Sequence, residues 1–239
     1  MTVKAVLFDM FDTLVIIKKN HDFYSPSTMH MYRYLSENGV PVPLDRFQEA
    51  YDKAREELYA KADPNLEEPH FNVRIALTLK MLGYDYDVSS PLVLAASAAW
   101  CDEFVKYVCL DNDTPPLLQG ISGRYKLGIV SNFAIPECVY KLLKTYGLDG
   151  FFGAVVVSGA VNRRKPSPEI FNRTLNALGV SAAETVFVGD TLDADVEGAK
   201  AAGMRAVYFK RREEKPVESV VPDFTIKSLT ELPQLLEQM

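Results

Sequence analysis

The sequence predicts an α/β protein: a doubly wound parallel sheet as the core, with an all-helical cap domain inserted after the first strand. Three observations lead there. Short apolar runs end repeatedly in Asp, Ser or Gly-Asp, stretches of helical period alternate with those runs, and more than a hundred residues of mostly helical pattern separate Asp12 from Ser131. Strands alternating with helices are the pattern of a parallel sheet. A long helical excursion at one connection is the pattern of an insert.

The first run, Val3 to Phe8, is apolar apart from Lys4 and stops at Asp9, as expected of a buried parallel strand with the aspartate at its carboxyl end. The pattern recurs at Leu127 to Val130 before Ser131, at Ala154 to Val157 before Ser158, and at Thr185 to Val188 before Gly189 and Asp190. Ala206 to Phe209 reads as a fifth strand. Between them, Pro136 to Tyr146, Ser167 to Leu178 and Asp193 to Ala202 carry apolar residues at three- and four-residue spacing and read as helices. The insert is expected to hold four more, at Ser25 to Asn38, Leu44 to Lys61, Glu68 to Leu82 and Pro91 to Leu110, broken at Gly39, Asp63-Pro64 and Gly83. The expected division is a core of residues 1–16 and 113–239 and a helical cap of 17–112.

A chain of 239 residues with 48% hydrophobic and 24% charged residues is an ordinary globular composition that can bury its own core. Its net charge of -6 gives no long-range attraction for nucleic acid or anionic membrane, so neither is expected as a partner. An anionic substrate must then be held by a local positive site. Cys101, Cys109 and Cys138 are odd in number and scattered, which argues against a disulfide framework and a zinc site and for a reducing cytoplasm. The run Val3 to Phe8 is too short for a signal-peptide core or a membrane span. The cluster Lys210 to Lys215 reads as a solvated loop.

In open α/β sheets ligands bind beyond the carboxyl ends of the strands, and three of the expected strands end in Asp9, Ser131 and Asp190. Each residue alone has an ordinary reading: a turn-capping aspartate, a helix N-cap serine, a loop lysine at Lys165. Their order and spacing together are specific. Phe8-Asp9-Met10-Phe11-Asp12-Thr13-Leu14, Val130-Ser131-Asn132, Lys165-Pro166-Ser167-Pro168-Glu169-Ile170-Phe171 and Val188-Gly189-Asp190-Thr191-Leu192-Asp193-Ala194-Asp195 resemble, in turn, the four motifs of the haloacid dehalogenase superfamily. The resemblance covers the first 15 residues and Thr114 to Met239. It implies a Rossmann-like core, and the insert is similar to the family's helical (C1-type) cap in position and helical content.

The resemblance implies a magnesium-dependent phosphatase of small phosphorylated metabolites, a monomer or homodimer, in which Asp9 attacks phosphorus. The attack brings two anions together, so charge neutralisation is the central problem. Magnesium suits it, being a hard ion that takes one or two carboxylates, phosphate oxygens and water. The implied metal ligands are Asp9, Asp190, Asp195 and the backbone carbonyl of Phe11. Lys165 and Ser131 are implied to act in catalysis and, with Asn132, to hold the phosphoryl group.

One position departs from the pattern. Phosphatases of the superfamily usually have a second aspartate two residues after the nucleophile as general acid and base, and here Phe11 stands there. Asp12, one residue further on, is the nearby carboxylate. The substitution leaves two other readings open: a 2-haloacid dehalogenase forming an ester on Asp9 without metal, and a catalytically weak binding module. The acids Asp190 and Asp195 weigh for phosphate chemistry.

In the insert, Phe23, Tyr24, Met29, Met31, Tyr32 and Tyr34, with Trp100, Phe104 and Tyr107, read as cap core or as a face against an apolar part of the substrate. His21, His30 and His70 read as surface or packing residues. Arg33, Arg46 and Arg163 could reach an anionic substrate tail, and the sequence does not choose among them.

Overall fold

The computed structural model describes residues 2–18, 22–211 and 220–239. Eight strands occur among them: β1 (Ala5–Phe8), β2 (Val15–Ile17), β3 (Val108–Leu110), β4 (Lys126–Ser131), β5 (Ala154–Val157), β6 (Thr185–Gly189), β7 (Arg205–Phe209) and β8 (Phe224–Ile226). Six form one sheet in the order β5-β4-β1-β6-β7-β8, with every neighbouring pair parallel. The expected Rossmann-like core is present. β1 lies at its centre because all four of its residues are apolar and none is exposed. Val6 and Phe8 pack on one face and Ala5 and Leu7 on the other, so both faces carry a core.

The helices are α1 (Tyr24–Glu37), α2 (Leu44–Ala62), α3 (Phe71–Met81), α4 (Pro91–Phe104), α5 (Thr114–Ile121), α6 (Pro136–Thr145), α7 (Ser158–Val161), α8 (Pro168–Leu178), α9 (Glu197–Ala201) and α10 (Leu232–Glu237). Leucines of α5, α6 and α10 cover the Val6/Phe8 face, and Ile170, Phe171 and Leu175 of α8 cover the other. α5, α7, α10, β2, β3 and β8 have no counterpart in the sequence reading.

Helices α1 to α4 occupy the long excursion, as its period predicts, with two differences. The third helix begins at Phe71 rather than Glu68, because Pro69 interrupts the pattern and the His70 side chain then caps the new start by accepting from the Asn72 amide. The fourth ends at Phe104 rather than Leu110. A 3-10 turn, Val105–Tyr107, leads from it into β3, whose Val108, Cys109 and Leu110 pair antiparallel with Ile17, Ile16 and Val15 of β2. Thr114 closes the excursion by donating its hydroxyl proton to the Leu14 carbonyl at 2.8 Å.

Cys101 of α4 and Cys138 of α6 are joined in a disulfide, which overturns the expectation of unpaired thiols. The two lie 37 residues apart in sequence, and the packing of α4 against α6 brings their Cα atoms to 5.6 Å, a relation that spacing could not reveal. The pairing withdraws the support that the cysteines gave to a reducing compartment. Cys109 is free. No helix among the described residues is long and apolar enough to cross a membrane.

Arg211 does not belong to a solvated loop. It donates to the carbonyl oxygens of Asp12 and Thr13 and pairs with Asp111. Residues 212–215 of that charge cluster, and His21, lie outside the described residues.

Candidate active site

The carboxyl ends of β1, β4 and β6, three adjacent strands of the sheet, carry Asp9, Ser131 and the Gly189-Asp190 pair. Adjacency brings together what the sequence separates by more than a hundred residues. Asp9, Asp190 and Asp195 each offer a carboxylate oxygen within 4.8 Å of the others, and all three are buried.

Asp195 reaches this cluster by an irregular route. A helix is expected from Asp193, but Leu192–Val196 form a single π turn, the kind of insertion that recurs at functional sites, and regular α-helix begins only at Glu197. The turn drops the Asp195 side chain beneath Gly189, where a Cβ would stand 2.4 Å from its Cγ. Only glycine fits there. Asp195 Oδ2 accepts from the Thr191 amide at 3.0 Å and the Thr191 hydroxyl at 2.8 Å. Asp193 points elsewhere, exposed and accepting from the Ala194 amide, as a structural first-turn residue should.

Lys165 enters from the loop before α8. Its ammonium donates to Asp9 Oδ1 at 2.5 Å and to Asp195 Oδ1 at 2.7 Å. Asn132 fixes the approach: its Oδ1 accepts from the Lys165 amide at 2.8 Å and its Nδ2 donates to the Lys165 carbonyl at 3.0 Å. A Cβ on Gly198 would collide with the Phe171 ring at 2.6 Å and with Pro166 Cα at 2.9 Å, so that glycine lets α9 close on the lysine loop.

Within the cluster Lys165 pairs with two of the three carboxylates, Asp9 and Asp195. Burial pushes the Asp9 carboxyl up to about 6, against the pull of Lys165 and with a further push from Asp195. Burial works against the charge on Lys165 as well, yet Asp195 and Asp9 outweigh it and raise that ammonium above its ordinary value. Ser131 is fully buried and its hydroxyl has no hydrogen-bond partner among the described residues. An orphaned donor beside three clustered carboxylates suits a ligand with oxygens to place and a divalent cation held by the acids.

The Phe11 ring packs on Phe133 and Phe104, at centroid distances of 4.8 and 5.6 Å. Asp12 takes the left-handed conformation, φ 59°, and its Oδ1 accepts from the Ile17 amide at 3.1 Å, which fastens the end of β2. That engagement suits a structural residue better than a general acid. Sequence reasoning missed Thr191, although it adjoins Asp190, and Arg211, which is about 200 residues from the loop it fastens and carries no signal of that contact.

Residues 3–203 match the family model of haloacid dehalogenase-like hydrolases. The chain belongs to this family. It is a hydrolase whose full-length relatives include a protein of Methanopyrus kandleri named glyceraldehyde 3-phosphate phosphatase, 32% identical, with 99% of this chain and 98% of that protein covered. Among solved structures, a haloacid dehalogenase-family phosphatase of Thermococcus onnurineus is 28% identical with a TM-score of 0.62, covering 98% of each chain. A 2-haloacid dehalogenase of Pseudomonas syringae pv. Tomato superposes with a TM-score of 0.77 over 99% of each chain at 24% identity, a likeness of fold.

Proposed function

We propose that this hydrolase is a magnesium-dependent phosphatase of small phosphorylated metabolites, with Asp9 as nucleophile, a core of residues 1–16 and 113–239, and a helical cap of 17–112. The observation that carries it is the cluster itself: three buried carboxylates beside a lysine and an unpartnered Ser131 hydroxyl. The names of the full-length relatives support phosphate over halide.

Asp9, Asp190, Asp195 and the Phe11 carbonyl are the groups that would hold magnesium, which when bound supplies charge neutralisation for the phosphoryl oxygens. The remaining steps belong to the chain. An Asp9 oxygen bonds to phosphorus as the ester P–O bond breaks, leaving the alcohol and a phosphoaspartate. Ser131 donates to a phosphoryl oxygen and the backbone N–H groups near Asn132 complete the cradle, while Lys165 holds Asp9 in line and offsets the developing charge. Water then attacks phosphorus, the acyl P–O bond breaks, and phosphate leaves with Asp9 restored. With Phe11 in place of an acid, the leaving alkoxide takes its proton from solvent, which favours substrates with good leaving groups.

The test is hydrolysis of para-nitrophenyl phosphate by wild type and Asp9→Asn, each with magnesium and with EDTA. Turnover that needs both the metal and Asp9 supports the reading. Turnover by Asp9→Asn near the wild-type rate removes Asp9 as nucleophile.

A further inference from the structure

A cavity of about 690 Å³ lies beside the carboxylate cluster rather than over it. On the core side it is bounded by Phe133, Ala134, Ile135 and Arg164, the residues that directly follow Asn132 and directly precede Lys165. Phe23, Tyr24, Phe71 and Trp100 add aromatic wall, and Arg55, Glu56 and Asp63 add charged side chains. A molecule with its phosphoryl group on Asp9 has this space next to it for the rest of its frame.

Arg74 of α3 also lines the cavity, and it is 4% exposed. Its guanidinium lies 3.6 Å from the centre of the Tyr51 ring, donates to the Tyr24 hydroxyl and reaches the Tyr51 carbonyl at 3.4 Å. Its Nε is buried without a partner among the described residues. No carboxylate among the described residues forms an ion pair with it. The acids nearby are otherwise engaged or outside: Asp63 pairs with Arg164 at 2.7 Å, Glu68 accepts from the Tyr59 hydroxyl, and Glu56 is exposed.

A buried charge is costly unless it is paired, and arginine does not shed its proton to escape the cost. Aromatic faces and hydroxyls meet part of that demand. An anion arriving in the cavity would meet the rest.

We propose that Arg74 receives a second anionic group of the substrate, so that the preferred substrates are phosphomonoesters bearing a further acidic group, such as a carboxylate, on an apolar or planar frame. Arg164, on the core wall, faces the same space with its charge shared with Asp63. A substrate whose phosphoryl group is its sole charge leaves Arg74 unmatched. The inference rests on the phosphatase reading above.

The test compares 4-carboxyphenyl phosphate with 4-carbamoylphenyl phosphate, which has the same shape without the charge. The amide is the better leaving group, so a preference for the carboxylate cannot come from the bond-breaking chemistry. Wild type should favour the carboxylate in kcat/KM by roughly ten- to a hundredfold, the size of a hydrogen bond to a charged group, chiefly through KM. In Arg74→Gln that ratio should fall towards one, and Arg74→Lys should keep part of it. A wild-type ratio at or below one, with both esters hydrolysed, overturns the inference and leaves the phosphatase reading standing, and this comparison needs no variant to fold. A ratio unchanged in Arg74→Gln also overturns it. Hydrolysis of neither ester overturns the phosphatase reading and this inference with it.

Discussion

Gly189 and Asp195 occupy the same space: a Cβ on the first would fall 2.4 Å from Cγ of the second, so the carboxylate reaches the cluster only because residue 189 has no side chain. Gly189→Ala should therefore move Asp195 without touching any ionisable group. We expect at least a tenfold weaker magnesium dependence of activity and a stability loss of about 1–3 kcal/mol from overpacking. A magnesium titration of activity alongside thermal melting checks both, and a variant with wild-type magnesium affinity would show that Asp195 does not need its present position.

Phe11 stands where an acid would assist the leaving group, and its ring packs on Phe104 and Phe133. Phe11→Asp should raise kcat/KM for alkyl phosphates, up to the roughly 10²-fold lower end of what a general acid contributes. The gain for para-nitrophenyl phosphate should be small. Loss of the aromatic contacts should cost about 2 kcal/mol of stability. A well-folded variant with no gain on alkyl phosphates would show that proton supply does not limit this enzyme.

Burial raises Asp9 to about 6 from an ordinary value of 3.8. Between those values the native state keeps a proton that the unfolded chain has lost, so metal-free protein loses stability from this group as pH rises through the window. Comparing wild type with Asp9→Asn in EDTA reads the effect of Asp9 together with the Lys165 and Asp195 groups that touch it, because groups that do not contact the cluster cancel. Wild type should fall relative to the variant by on the order of 2 kcal/mol between pH 4 and about pH 7. Magnesium, which competes with the proton, should recover the loss. A pH-independent difference would mean that Asp9 titrates normally.

Cys101–Cys138 ties α4 to α6 across 37 residues of sequence. Reduction should lower stability by about 2–4 kcal/mol, the usual effect of closing a loop in the unfolded chain. The Cys101→Ser/Cys138→Ser double variant should melt at the temperature of the reduced wild type and be indifferent to dithiothreitol. A wild-type melt unchanged by reductant would show that the pair contributes nothing.

The core and the acid cluster were legible because their signals are local. A run such as Val6 to Phe8 ending in Asp9 is readable as a buried strand without knowing its neighbours, and four such motifs in order suffice to place Asp9, Ser131, Lys165 and Asp190 around one sheet edge. What escaped depends on contacts between distant segments. The partnership of Cys101 with Cys138 and the anchoring of Asp12 by Arg211 leave no trace in spacing. β2 and β3 escaped because three-residue strands show no period, and the π turn at Leu192–Val196 because its residues read as ordinary helix. Among the arginines, the sequence singled out Arg33, Arg46 and Arg163. Arg33 and Arg46 are exposed and Arg163 is tied to Glu169 at 2.8 Å, whereas the buried one at the cavity is Arg74.

The account turns on a covalent phosphoryl group at Asp9, and the absence of an acid at Phe11 should help reveal it, since slow activation of water lets the intermediate accumulate. The decisive measurement is acid quenching of wild type during turnover of para-nitrophenyl phosphate with magnesium, followed by mass spectrometry of the peptide containing Asp9. The account predicts one added phosphoryl group on Asp9, absent with EDTA and absent from Asp9→Asn. Turnover with Asp9 unmodified throughout, or modification of another residue, would contradict it.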